Sequence, residues 1–182
     1  FKNIDAVIHL AYVNGTKFFY SKPELVLDVA TKGLINVFDL CIKNKIKELY
    51  LASSSEVYQL PDKIPTDENV SLKIPDIQNP RFSYAGGKIL TELYGMNYGK
   101  KYFKKLIIFR PHNIGTENRV KISKIVDIIK KITKKKIKTT KTKLKTGGTK
   151  HRCPDIKKIK KLGFKPEISL IQGIKKCISQ QI

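Results

Sequence analysis

The sequence has few cysteines and no long apolar segment. Its three cysteines, Cys41, Cys153 and Cys177, are far apart, a pattern that predicts neither a disulfide framework nor a zinc site and that fits a reducing cytoplasm. No apolar run approaches the roughly 20 residues of a membrane span, and the first residues lack the charge pattern of a signal peptide. The three histidines have no metal-ligand spacing. We therefore expect a soluble, cytoplasmic chain with no membrane partner and no metal site.

Acidic residues are scarce, and the resulting positive charge lies mostly in the last third of the chain. Residues 119–182 hold 21 Lys+Arg against 3 Asp+Glu, whereas residues 1–118 hold 16 against 12. The last third is nearly all lysine, isoleucine and threonine, whereas base readout and stacking on single strands use arginine and aromatic rings. The pattern favours a solvated lysine-rich surface over a nucleic-acid partner. A basic module that binds nucleic acid or another anionic surface is the alternative.

Three continuous apolar runs predict buried parallel strands, over residues 6–11, 49–52 and 106–109. Between them, apolar residues at helical spacing predict helices over residues 23–43 and 84–98. In the second helix we expect an apolar stripe formed by Leu90, Leu93 and Tyr94. We also expect an i,i+4 ion pair between Lys88 and Glu92. The alternation of strands and helices predicts an α/β fold, a partial Rossmann-like parallel sheet with flanking helices.

The rest of the chain predicts a loop and a small helical C-terminal segment. Residues 61–80 are rich in Pro, Asp, Asn and Ser and predict a long surface loop. An amphipathic pattern over residues 122–132 predicts a helix, and two shorter helices follow it. We therefore divide the chain into a partial Rossmann-like domain, residues 1–114, and a Lys-rich C-terminal part of a substrate domain, residues 115–182.

Ligands of open parallel sheets bind beyond the carboxyl ends of the strands, where this sequence places polar clusters after each predicted strand. Tyr84 and Lys88 are four residues apart and share one helix face, so an ammonium can stand near the phenol and favour the phenolate. Ser54 follows the middle strand and can hold the oxygen that exchanges a proton with Tyr84. This set suits hydride removal from a secondary alcohol, where proton and hydride leave together.

The motifs around these residues resemble the extended short-chain dehydrogenase/reductase family, the NAD-dependent epimerases and dehydratases of nucleotide sugars, of the UDP-glucose 4-epimerase type. The matching stretches occur in the order of the family and are residues 5–11 (DAVIHLA), 51–58 (LASSSEVY), 65–68 (PTDE), 83–88 (SYAGGK), 109–113 (FRPHN), 152–156 (RCPDI) and 162–166 (LGFKP). The resemblance implies an isomerase or lyase that uses NAD on a nucleotide-sugar substrate. It also implies a homodimer for intact members.

Catalytic roles follow from the resemblance. Tyr84 would be the catalytic acid/base, and Lys88 its partner, which also holds the nicotinamide ribose. Ser54 matches the residue that binds the substrate hydroxyl. Glu56 stands where dehydratases and decarboxylases of the family keep a glutamate for proton transfer, although loop solvation is an equally good interpretation. Ser55 stands where 4,6-dehydratases usually have Asp, which argues against dehydration.

Binding roles follow in the same way. The cofactor would contact the positions Leu10, Ala11, Ala52 and Ser53, together with Tyr84 and Lys88, and the substrate would contact Ser54, Ser55 and Asn113. Members of the family often have Asn at the position of Ala30, so one cofactor contact would be missing. His9 lies inside an apolar strand and is expected to be a structural residue near the cofactor.

Two family segments are not found in the sequence. Family members open with a strand and a Gly-x-x-Gly-x-x-Gly turn that cradles the pyrophosphate, and Gly95 and Gly99 cannot serve because they fall inside the Tyr84 helix. The sequence therefore resembles the family from its fourth strand onwards. At Asn113 and Ile114 two separate family segments coincide, which implies an internal deletion that removes much of the nucleotide-sugar pocket.

These gaps predict that the strand at residues 6–11 has an open apolar edge. We expect NAD binding weaker than micromolar, self-association and little or no turnover of this chain. A third alternative is a fragment with no function of its own.

Overall fold

The three predicted strands are present and form one parallel sheet. A computed structural model of the chain describes residues 4–112, 119–140 and 153–179. In chain order the strands are β1 (Ala6–His9), β2 (Glu48–Ala52) and β3 (Lys105–Phe109). β2 pairs with β1 on one side and with β3 on the other, and its Leu49 lies between Val7 and Leu106. The expected α/β architecture is therefore confirmed, with β2 central among the three strands.

Helices fill both connections between the strands. They are α1 (Thr16–Ser21), α2 (Pro23–Asp28) and α3 (Leu34–Lys43) between β1 and β2, and α4 (Ser83–Tyr102) between β2 and β3. Pro23 is well placed at the start of α2, where its missing N–H removes no helical hydrogen bond. A wider π-helical turn, Val29–Gly33, lies between α2 and α3, so the helix predicted over residues 23–43 is present and contains this turn.

The buried face of α4 differs from the predicted apolar stripe. Leu93 is 55% exposed, and the buried positions are small or polar: Tyr84, Ala85, Gly87, Lys88, Thr91, Glu92, Gly95 and Gly99. A methyl group at Gly95 would lie 2.8 Å from Ile108 Cδ1 and 2.9 Å from Leu51 Cδ1. The helix thus approaches the sheet too closely for larger side chains at these glycines. Of the predicted stripe, Leu93 is exposed, Leu90 is half-buried and Tyr94 packs against the apolar core.

The apolar core lies between α3 and the sheet. Its buried members are Leu34, Phe38, Cys41, Ile46, Leu49, Leu51 and Phe103. Leu49 and Leu51 are fully buried because the alternate residues of β2 point to this face, and each such side chain contributes about 2 kcal/mol by leaving water. A second cluster joins Phe19, Val26 and Tyr84, with Tyr12 and Val13 packed against it.

The described residues form two units. One contains residues 4–62 and 69–112, and the other contains residues 63–68, 119–140 and 153–179. The helices of the second unit are α5 (Ile122–Thr133), α6 (Lys157–Lys161) and α7 (Leu170–Ser179). The backbone of Thr66 bridges to that of Pro154 in the same unit. The domain boundary at residue 114 stays a prediction because it lies outside the described residues.

No helix of the described ranges combines the length and the apolar character needed to cross a bilayer.

Candidate active site

The carboxyl end of β2 meets the first turns of α4. Lys88 Nζ donates a hydrogen bond of 2.6 Å to the carbonyl oxygen of Ala52, the last residue of β2. One residue later, Ser53 Oγ donates a hydrogen bond of 2.5 Å to Oε1 of Glu92. Tyr84, Lys88 and Glu92 follow one another at intervals of four residues, so they lie along one side of α4, and the last two bond to the end of the strand.

Tyr84 is enclosed by aromatic rings. Its ring stacks on Phe19 with a centroid distance of 4.7 Å, and it meets Tyr12 edge to face at 5.2 Å and 81°. Only 8% of Tyr84 is exposed. The phenol is therefore held in one orientation by packing on two sides.

Lys88 is a buried cation without a carboxylate partner among the described residues. It is 4% exposed, and its Nζ lies 3.8 Å from the ring centroid of Tyr12 and 5.8 Å from that of Tyr84. Burial lowers the pKa of Lys88 from 10.5 to about 8, because water no longer solvates the charged form. Burial, and then the charge of Lys88, also lowers the pKa of His9. The neutral imidazole that follows fits the structural role expected for His9.

Tyr12 is a residue of this site that the sequence did not indicate. Its Oη is buried and has no hydrogen-bond partner in the described part of the chain. A methyl group at Gly87 would lie 2.0 Å from this Oη and 2.5 Å from Ala30 Cβ, so the hydroxyl fits only because Gly87 has no side chain. Burial, followed by the proximity of Tyr84, raises the pKa of Tyr12, which keeps its phenol protonated. The sequence signal that could have pointed to Tyr12 was the glycine at position 87, which leaves space beside α4 where other residues would place a side chain.

The serines after β2 form a capped turn. Ser54 is the N-cap of a 3₁₀ turn over Ser55–Tyr58, and its Oγ accepts a hydrogen bond from the backbone N–H of Glu56 at 3.2 Å. Ser55 is buried, and its N–H donates to the carbonyl of Pro111, the second residue after β3. The turn thus fixes Ser54 directly beside Ser53, the residue bonded to α4.

Glu56 is held by an arginine. Its Oε2 lies 3.5 Å from Nη2 of Arg81, and both side chains are largely buried. Gln59 Nε2 donates one hydrogen bond of 2.5 Å to the backbone carbonyl of Glu56 and another of 3.5 Å to its carboxylate. The carboxylate of Glu56 is therefore anchored by a cation and an amide.

A second buried network joins β2, α4 and the end of β3. Arg110 donates from Nε to Oε1 of Glu92 at 2.8 Å and from Nη2 to Oε2 at 2.5 Å, and its Nη1 donates to Tyr58 Oη at 2.8 Å. These bonds, the one to Glu92 first, raise the pKa of Arg110 and keep it charged. The predicted pair of Lys88 with Glu92 was wrong, because Glu92 binds Arg110 and Ser53 instead.

The remaining predicted residues lie at the ends of the strands. Leu10 and Ala11 follow β1, where Leu10 is 63% exposed, and Ala52 is half-buried at the end of β2. The predicted substrate contact Asn113 lies outside the described residues. At this edge of the sheet the described residues thus place Ser53 and Ser54 after β2 and Lys88 at its last carbonyl, and Tyr84 lies one helical turn before Lys88 on α4. These are side chains of the kinds that can move a proton to or from an alcohol.

Comparison with known proteins shows which family and which solved structures this chain is similar to. A model of the NAD dependent epimerase/dehydratase family matches residues 1–152. A UDP-glucuronate 4-epimerase from Thermodesulfobacterium geofontis is 24% identical, with 97% of this chain and 72% of the relative covered. A UDP-glucose 4-epimerase from Streptococcus mutans is 26% identical over 112 residues, 62% of this chain. A UDP-glucose 4-epimerase structure from Thermotoga maritima superimposes with a TM-score of 0.81 at 17% identity, covering 94% of this chain and 75% of that one.

The extent of these matches is uneven. The chain spans 32% of the length of the Streptococcus mutans protein and 37% of a relative from Methanocaldococcus jannaschii. The alignment with the Thermodesulfobacterium geofontis protein runs over 237 positions, more than the 182 residues of this chain, so that relative has residues that this chain lacks between the matched ends.

Proposed function

The chain belongs to the NAD-dependent epimerase/dehydratase family, and we propose that it binds NAD and a nucleotide sugar and exchanges a proton with a sugar hydroxyl through Tyr84. The observation that supports this proposal most directly is the buried pair of Tyr84 and Lys88, fixed to the end of β2 by the hydrogen bond from Lys88 to Ala52. A phenol beside an ammonium can act as the base that takes a proton from a secondary alcohol, because the cation favours the phenolate.

In this proposal Tyr84 takes the hydroxyl proton as the alcohol is oxidised and returns it when the carbonyl is reduced. The ammonium of Lys88, 5.8 Å from the Tyr84 ring centroid, favours the phenolate form during the first step. Ser54, fixed at the start of the turn after β2, donates or accepts a hydrogen bond at the same sugar oxygen. When bound, NAD supplies the hydride acceptor for this oxidation.

The donor set fits the nicotinamide ribose. An ammonium carries three hydrogens, and among the described residues only the Ala52 carbonyl accepts one from Lys88. A second hydrogen can therefore go to a ribose hydroxyl. Leu10 and Ala11 offer exposed apolar surface at the end of β1, and Ala52 and Ser53 line the end of β2.

We propose epimerisation, an isomerase reaction, rather than dehydration. Dehydration needs a second group that moves protons, and Glu56 is bound by Arg81 and Gln59 in a largely buried ion pair. Ser55, buried and bonded through its backbone to Pro111, stands where an additional acid would be needed. We therefore propose that Glu56 positions the turn and that Ser55 contacts the substrate.

Saturation-transfer NMR tests this proposal because it detects weak ligands. With the purified chain and millimolar NAD, we expect transfer to the nicotinamide-ribose protons. Lys88→Met should reduce this transfer severalfold, because it removes the proposed ribose donor. Lys100→Met changes an exposed lysine of the same helix and should leave the signal unchanged. Absence of transfer from the unchanged chain, or equal loss in both variants, would refute NAD binding at this site.

A further inference from the structure

We propose that Tyr12 is a positioning residue for the catalytic pair: its ring holds the Lys88 ammonium against the end of β2 and holds Tyr84 beside it. This inference rests on the proposed function for the meaning of the pair, but its geometry and its test are independent of NAD.

One ring contacts both members of the pair. Lys88 Nζ lies 3.8 Å above the centroid of Tyr12, within the range where the negative face of an aromatic ring attracts a cation. The same ring meets Tyr84 at 5.2 Å and 81°, the edge-to-face arrangement that aromatic pairs prefer. A displacement of Tyr12 would therefore disturb the ammonium and the phenol together.

The other groups near Lys88 cannot replace this contact. One is the carbonyl of Ala52, and another is the ring of Tyr84, at the longer distance of 5.8 Å. The third is the imidazole of His9, and a positive charge on His9 would repel the positive charge of Lys88. The nearest acid along the helix, Glu92, is bound to Arg110 and Ser53. In the described residues the Tyr12 ring thus takes the place that a carboxylate usually has beside a buried lysine.

Shape, not hydrogen bonding, fixes Tyr12. Its Oη lies in a slot between Gly87 and Ala30, where a methyl group at Gly87 would come within 2.0 Å of it. The hydroxyl is buried and has no hydrogen-bond partner among the described residues. The hydroxyl is therefore held by packing alone, and the contacts with Lys88 and Tyr84 are made by the ring and not by the hydroxyl.

The titration of Lys88 measures this contact directly. With lysine labelled at ¹³Cε, the resonance that titrates near pH 8 is assigned to Lys88 by its loss in Lys88→Met. Tyr12→Leu removes the ring and should lower the midpoint by about one pH unit, because a desolvated cation–π contact stabilises the charged form by about that amount. Tyr12→Phe keeps the ring and should restore the midpoint. Tyr98→Leu removes an exposed ring of α4, the helix that carries Lys88, and should not shift the midpoint.

An unchanged midpoint in a folded Tyr12→Leu variant would overturn the proposal, as would a shift of equal size in Tyr12→Phe. If the leucine variant does not fold, Tyr12→Met keeps an unbranched side chain in the slot and gives the same measurement. No cofactor takes part, so the outcome does not depend on whether the chain binds NAD.

Discussion

Two cations lie beside the end of β2, the buried Lys88 and the largely buried Arg110, and their surroundings are opposite. Arg110 is bound through two nitrogens to Glu92, and this bond raises its pKa. Lys88 has a carbonyl and an aromatic ring as its nearest partners, and burial lowers its pKa to about 8. A cation with a carboxylate partner stays charged and ties elements together, whereas a cation without one keeps hydrogens available for a ligand. Arg110 is thus a structural cation, and Lys88 is the cation to which the proposed function gives a chemical role.

The largest expected effect comes from removing the carboxylate that binds Arg110. Glu92→Gln removes the charge opposite Arg110 and should lower the free energy of unfolding by about 3–5 kcal/mol, because the largely buried guanidinium loses its charged partner. Urea denaturation measures it. The matched control, Asp28→Asn, breaks the exposed pair with Lys32 and should cost at most about 1 kcal/mol. Equal costs in the two variants would show that the buried network is not what stabilises this edge.

The lowered pKa of Lys88 predicts that the stability of the chain depends on pH. The folded chain holds Lys88 at a pKa of about 8 against an ordinary value of 10.5, so between these pH values the unfolded chain binds more protons. The stability of the wild type should therefore rise with pH across this window, by up to about 3 kcal/mol relative to Lys88→Met. Below pH 8 the burial penalty is present in full, and the two curves should run parallel. Parallel curves up to pH 10 would contradict the burial of a charged Lys88.

The smallest expected effect concerns the hydroxyl of Tyr12. Tyr12→Phe removes a buried hydroxyl without a partner in the described residues and should raise the free energy of unfolding by about 1 kcal/mol. Tyr58→Phe removes a hydroxyl that accepts a hydrogen bond from Arg110 and should lower it by a similar amount. The opposite signs are the test, and a loss of stability in both variants would mean that the Tyr12 hydroxyl is hydrogen-bonded.

Much of the first unit was predictable because its signals are local. Continuous apolar runs predicted all three strands, and helical spacing predicted α3 and α4. The face of α4 was not predictable in the same way. Leucine spacing pointed to one stripe, but Gly95 and Gly99 allow the opposite face to approach the sheet, and close packing of the backbone decided the orientation.

Amphipathic spacing also failed to predict depth of burial. α3 buries Leu34, Phe38 and Cys41, each about 1% exposed, whereas α5 has as clear an apolar stripe and no buried residue. The pattern predicts that a helix forms and which side is apolar. How far that side is covered depends on partners elsewhere in the chain, which spacing does not identify.

The sequence by itself determined the order of strands and helices and the common helix face of Tyr84 and Lys88, because continuous apolar runs indicate buried strands and the repeat of 3.6 residues places residues four apart on one helix face. It also determined the family motifs, which are matches of residue type in order along the chain. The tertiary structure decided the partners. Ser53 meets Glu92 across 39 residues and Arg110 meets Tyr58 across 52, contacts that no local spacing specifies. It also decided that Lys88 faces the ring of Tyr12, since that contact exists only where β1, β2 and α4 are brought together in the fold.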